Sequence, residues 1–236
     1  MSVQGRLLAM LEQVAEALGE TLRARLAFVG GCTTAFYVTD PATLEGVRAT
    51  DDVDLVVDLA GYGEWARLQD ELRARGFRES AEDDVICRMR LGALKVDIMP
   101  DDPAILGFSN PWYRLGMETA VDQRLTDRLS IRLFTPPLFL ATKLQAWCGR
   151  GGGDMVMSRD LEDVLLVVDG RPAIVGEVRA AEPEVRAFIA AEIAGLMRGR
   201  DFDHLLEDNI RGPEGRTGIV YRRLADLAAS ADDHGL

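Results

Sequence analysis

Thr50-Asp51-Asp52-Val53-Asp54-Leu55-Val56-Val57-Asp58 is the stretch of this chain whose residue types and spacing most clearly suit chemistry. Val53, Leu55 and Val57 alternate with Asp52, Asp54 and Asp58, the period-two pattern of a half-buried strand. Successive side chains on a strand point to opposite faces, so Asp52 and Asp54 are expected to project from one face. Asp97, in Lys95-Val96-Asp97-Ile98-Met99, occupies the polar side of a second strand pattern, with Val96 and Ile98 opposite. Three carboxylates on one sheet face repel one another unless a cation lies between them. A pair of Mg²⁺ or Mn²⁺ ions about 3.5–4 Å apart would relieve that repulsion and suits phosphoryl or nucleotidyl transfer. The competing reading is that acids on the polar face of a strand simply meet water.

A feature upstream narrows the choice. Phe28-Val29-Gly30-Gly31-Cys32-Thr33-Thr34-Ala35 reads as a strand that ends in two glycines and runs into a helix from about residue 32 to 38. Such a turn lets backbone N–H groups approach phosphate oxygens, and a helix N-terminus favours their charge. Gly30 and Gly31, with the Thr33 or Thr34 hydroxyl, are the expected phosphate contacts. Alone, a Gly-Gly turn is usually only a tight turn.

Farther along, Lys143 and Arg150 are seven residues apart on one face of an expected helix, an arrangement that suits two cations on one polyphosphate. Lys95 and Lys143 are the only lysines among 27 basic residues, so Arg is the default surface cation and each lysine carries more information than usual. Asp160 falls in a first helical turn, where the helix dipole favours an acid anyway. Arg159 and Asp163 could merely pair at the surface as i, i+4 neighbours. Trp147 could stack on a base, although a Trp at helical spacing is more often core.

These blocks together resemble the nucleotidyltransferase superfamily that shares the DNA polymerase β palm. In that family a Gly-Gly or Gly-Ser turn precedes an Asp-x-Asp strand, and a later strand supplies a third carboxylate. Lys143-Leu144-Gln145-Ala146-Trp147-Cys148-Gly149-Arg150 and Arg159-Asp160-Leu161-Glu162-Asp163 further resemble the downstream blocks of the AbiEii-type toxin nucleotidyltransferases of bacterial toxin–antitoxin systems. The blocks run from residue 28 to 163. Two features depart from the pattern: the segment Cys32 to Asp51 is longer than usual, and Gly31 stands where a serine is common.

The resemblance implies Asp52, Asp54 and Asp97 as metal ligands, with Mg²⁺ or Mn²⁺ as cofactor and an NTP as co-substrate. Gly30, Gly31, Thr33, Lys143 and Arg150 would bind the nucleotide, and Asp160 would orient the nucleotide, Lys143 or the acceptor. It also implies that Lys143 and Asp160 face the Asp-x-Asp strand across a cleft. The implied acceptor is RNA, tRNA above all, and the implied partner a cognate antitoxin. A protein hydroxyl or an aminoglycoside-like molecule is the alternative acceptor, and a silent nucleotide-binding or partner-docking module the alternative class.

Composition sets outer limits. A formal charge of −12 counts against a broad nucleic-acid-binding surface, so an RNA acceptor needs a local gathering of arginines; Arg88, Arg90 and Arg150 are the candidates. No apolar run approaches the ~18 residues of a membrane span. The N-terminus carries Arg6, Glu12, Glu16 and Glu20 through its apolar pattern and reads as an amphipathic helix rather than a signal peptide. Cys32, Cys87 and Cys148 are odd in number and widely spaced, which suits reduced thiols and a cytoplasmic location. His204 and His234 lie near the C-terminus, away from every block, so histidine catalysis is not expected.

The elements that must position these residues follow from periodicity. Helices are expected at 3–19, 62–75, from Pro136 to about 149, 158–168 with Ser158 as N-cap, 173–180, 183–199 and 217–230. Strands are expected at 26–29, at the Asp-x-Asp stretch, at 84–91 and 94–99 as a hairpin across Gly92-Ala93, and at 130–134. Thr39-Asp40-Pro41 reads as a loop, residues 101–118 as irregular, and Gly149–Gly153 as a flexible breaker between two helices. The expected fold class is α/β (α+β), and the resemblance implies a polymerase β-like mixed sheet with helices over residues 1–134, followed by a helical domain over 135–236 carrying Lys143 and Asp160.

Overall fold

The alternation around Asp52 becomes a central strand in the computed structural model, which describes residues 2–150 and 153–232. The strands are β1 (Leu26–Val29), β2 (Asp52–Val57), β3 (Phe77–Arg78), β4 (Arg88–Leu91), β5 (Leu94–Pro100), β6 (Val121–Arg124) and β7 (Ser130–Leu133). They form one seven-stranded mixed sheet in the order β3-β4-β5-β2-β1-β7-β6. β2 runs parallel to β5 and β1 parallel to β7, while the other neighbours are antiparallel. The helices are α1 (Val3–Arg23), α2 (Pro41–Leu44), α3 (Tyr62–Ala74), α4 (Pro103–Leu106), α5 (Tyr113–Thr119), α6 (Pro136–Gly149), α7 (Arg159–Gly170), α8 (Ile174–Arg179), α9 (Pro183–Met197), α10 (Phe202–Asn209) and α11 (Arg216–Ala228).

The chain divides into two units. Met1–Thr33 and Arg48–Thr135 form the first, which holds the whole sheet; Thr34–Val47 and Pro136–Leu236 form the second. The later break falls close to residue 134, where the sequence suggested a boundary, but Thr34–Val47 groups with the helical unit rather than with the sheet. The unusually long segment after the Gly-Gly turn therefore has a place. Thr39 and Asp40 both donate their backbone N–H to the Gly170 carbonyl at 2.8 Å, at the end of α7. A Cβ on Gly170 would lie 2.5 Å from Val38 Cγ1, so the absent side chain lets the segment approach this closely.

In the first unit, Val53, Leu55 and Val57 on one face of β2, and Val96 and Ile98 on the matching face of β5, are fully buried. Burial of that face fixes the register, because a slip of one residue would drive the aspartates into the core. α1 is capped by the Ser2 hydroxyl, which accepts the Gly5 N–H at 3.1 Å, and it buries Leu7, Leu11, Val14, Leu18 and Leu22. Periodicity placed its end near residue 19; the structure has a kink there, with Gly19 at φ 67°, and helix beyond it to Arg23.

In the second unit, Ser158 caps α7 as expected, its hydroxyl accepting the Leu161 N–H, and Leu161, Val164, Leu165 and Val168 are buried. Gly151 and Gly152 of the expected flexible breaker, and His234, lie outside the described residues. Several elements differ from expectation: residues 101–118, expected to be irregular, hold α4 and most of α5, and β3, β6 and α10 had no counterpart in the sequence reading. The helix after the Gly-Gly turn is a short 3₁₀ turn, Gly31–Phe36, and Asp40 caps α2 where a plain loop was expected. The strand expected from 84 begins only at Arg88. Among the described residues, no helix is long and apolar enough to cross a membrane.

Candidate metal centre and ion-pair cluster

Asp52, Asp54 and Asp97 come together on the sheet, each offering a carboxylate oxygen within 4.8 Å of the others. The parallel pairing of β2 with β5 is responsible: Asp54 is directly opposite Asp97, and Asp52 opposite Lys95. Asp97 is buried, while Asp52 and Asp54 are partly open. Hard carboxylate oxygens at this spacing suit Mg²⁺ or Mn²⁺ and do not suit a softer metal. The donor set is compatible with the ion that the resemblance implies.

The Gly-Gly turn adjoins this cluster. Gly30 has φ 75°, in the left-handed region, and a Cβ there would fall 1.8 Å from Asp54 Oδ2. Glycine is thus required twice, for the backbone conformation and for the approach of the Asp54 carboxylate. Thr33, expected to reach a phosphate, is instead fully buried, and its hydroxyl donates to the Gly30 carbonyl at 2.8 Å. It holds the turn closed. Gly31, half-buried, opens the 3₁₀ turn.

Arg88 is the residue that sequence reasoning placed near the site without seeing its role. Its Nε donates to Asp97 Oδ1 and its Nη2 to Asp97 Oδ2, each at 2.7 Å, a bidentate fork. These bonds raise the guanidinium pKa above its ordinary value, and the charge of Asp52 adds to the effect. The signal was present in the hairpin: a two-residue turn at Gly92-Ala93 pairs Leu91 with Leu94, and so Arg88 with Asp97. Arg90 forms a similar fork with Asp83 at 2.7 and 3.0 Å. Lys95 bonds Asp51 at 2.8 Å and holds that carboxyl below its usual range. Cys87, next to Arg88, is buried; desolvation, with the charges of Asp97 and Asp54, pushes its thiol up to about 12 and leaves it a poor nucleophile.

The second unit carries the other expected residues. Lys143, from α6, is only 8% exposed and lies 2.6 Å from Asp163 Oδ2 and 3.3 Å from Asp160 Oδ1. Arg150 pairs with the other oxygen of Asp160 and keeps 69% of its side chain exposed. Two cations and two acids thus form one balanced cluster. Asp163 is not the surface partner of Arg159 that helical spacing allowed; it is 1% exposed and turned toward Lys143. Trp147 is half-buried.

A further polar network in this unit has no counterpart among the sequence motifs. Arg216 donates through Nε to both oxygens of Asp169, at 2.8 and 3.0 Å, and through Nη2 to Asp40 at 2.5 Å. The Thr43 hydroxyl also bonds Asp40. The network ties the Thr34–Val47 segment to α7 and α11, and the Arg216 bond holds the Asp40 carboxyl down to about 2. Its members are too far apart in sequence for any local pattern to find them.

Neither a protein-family model nor a curated protein matches the chain.

Proposed function

We propose that this chain is a metal-dependent nucleotidyltransferase with a polymerase β-like catalytic unit, resembling the AbiEii-type toxins. The observation that carries the reading is the convergence of Asp52, Asp54 and Asp97 within 4.8 Å beside a glycine turn that a side chain would block. A divalent ion there would neutralise triphosphate charge and lower the pKa of an attacking hydroxyl. Asp52 and Asp54 would hold it from β2, and Asp97 would complete the set from β5. Gly30 and Gly31 give backbone access to phosphate oxygens, and Thr33 keeps the turn in shape. In the helical unit, Arg150 is the solvent-facing cation assigned to the nucleotide. Asp160 orients it, and Lys143 holds Asp160 and Asp163 in place.

The family pattern makes RNA, tRNA above all, the first acceptor, with a cognate antitoxin as partner. One observation favours a second reading. Arg88, Arg90 and Arg150, the cations expected to draw in a polyanion, are each paired with an acid. A protein hydroxyl or an aminoglycoside-like molecule needs no basic stripe, and a cationic acceptor is favoured by acids at the site.

Incubation with each α-labelled NTP in turn, together with total RNA, total protein or a panel of aminoglycosides, tests the proposal. Mg²⁺-dependent label in one fraction is expected. Label in RNA with a steep fall at higher salt supports the first acceptor, and label elsewhere supports the second. No label in any fraction with any NTP would remove the enzymatic reading.

A further inference from the structure

Arg88, Asp97 and Asp54 form one row across three adjacent strands: Arg88 is opposite Asp97 in the β4–β5 register, and Asp97 is opposite Asp54 in the β5–β2 register. The row places a guanidinium beside the three carboxylates, and both oxygens of Asp97 already accept a charge-assisted hydrogen bond. The two side chains are 16% and 12% exposed, so the pair is only weakly screened by water. Three carboxylates with one fixed guanidinium also carry a net −2, the charge that one divalent ion balances.

We propose that Arg88 is a built-in competitor for the divalent ion. It occupies Asp97, so that Asp52 and Asp54 provide the high-affinity position, and Asp97 becomes a ligand only when its fork with Arg88 is given up. Arg88 is thus a positioning residue that sets how tightly the cluster binds metal. The inference rests on the metal centre proposed above, and it concerns the metal-binding equilibrium rather than turnover.

Two distinct effects can make a nearby cation weaken metal binding. Charge alone acts through space, and Arg88→Lys preserves it. Competition for Asp97 depends on the planar two-point fork, which lysine lacks. Arg88→Gln removes both charge and fork, while Asp97→Asn removes the contested ligand.

The test is Mn²⁺ titration of the full-length protein without nucleotide, followed by electron paramagnetic resonance of the free ion, on the wild type, Arg88→Lys, Arg88→Gln and Asp97→Asn. Melting curves in chelator establish that each variant is folded. Arg88→Gln is expected to bind Mn²⁺ at least about tenfold more tightly than the wild type. Arg88→Lys is expected to lie between the two, and Asp97→Asn to gain nothing. Unchanged or weaker binding in the folded Arg88 variants would overturn the proposal. Arg88→Lys matching the wild type while Arg88→Gln gains would also overturn it, leaving a through-space charge effect. If Arg88→Gln does not fold, Arg88→Lys decides by itself, because competition requires it to bind more tightly than the wild type. No saturable Mn²⁺ binding by any of the four proteins would instead overturn the metal centre itself, a result distinct from equal binding by all of them.

Discussion

Gly30 and Asp54 stand so close that a Cβ on the glycine would lie 1.8 Å from the aspartate's Oδ2. The turn and the Asp-x-Asp strand are therefore one structural unit, and any side chain at residue 30 must displace Asp54. Gly30→Ala also forces a left-handed backbone onto alanine, which costs roughly 1–2 kcal/mol before the clash is counted. Chemical denaturation should show a loss of at least that size, and Mn²⁺ affinity should fall in the same variant. Unchanged stability and metal binding would mean that the turn is not held as described.

Lys143 and Arg150 should behave very differently when truncated. Lys143→Ala leaves the buried carboxylates of Asp160 and Asp163 without their shared cation, a change of about 3–5 kcal/mol by the usual cost of breaking a buried pair. Adding Asp163→Asn to Lys143→Ala should recover part of it, as measured by denaturant midpoint. Arg150→Ala should cost less than Lys143→Ala, since the Arg150 side chain is 69% exposed and Asp160 keeps Lys143 as a partner. It should weaken NTP binding nonetheless. Arg150 is thus the cleaner probe of a nucleotide role, because loss of activity in Lys143→Ala could follow from unfolding.

Much of this was legible in the chain. The strand of Asp52 and Asp54 follows from period-two alternation, and α7 with its Ser158 cap follows from apolar spacing, because both signals are local. The Arg88–Asp97 fork was one step away, since the two-residue hairpin determines the register that makes them neighbours. The surroundings of Asp160 and Asp163 were not legible. Their burial depends on α6 packing against α7, and helical spacing by itself offered only the Arg159 pair. The destination of Thr34–Val47 was hidden for the same reason, as Asp40 meets Arg216 across 176 residues.

Acid should loosen the helical unit through Asp40. Its carboxyl titrates at about 2 in the folded protein against an ordinary 3.8, chiefly because Arg216 hydrogen-bonds the charged form. A depressed folded-state pKa stabilises above the ordinary value, so the contribution is fully present above pH 4 or so and fades as pH falls toward about 2. The stability difference between the wild type and Asp40→Asn should therefore be constant near neutrality and shrink over that acid window. Denaturation at stepped pH checks it; a difference that grows on acidification would reverse the assignment.

Paired labelling decides whether Asp52, Asp54 and Asp97 hold the ion for nucleotidyl transfer. The protein is incubated with Mg²⁺ and acceptor extract, with the NTP labelled either at the α or at the γ phosphate. Label is expected in the acceptor from the α position only, with its loss in Asp54→Asn and folding stability of that variant equal to or above the wild type, because like-charge repulsion is relieved. Label from the γ position, or undiminished α-label transfer by Asp54→Asn, would contradict it.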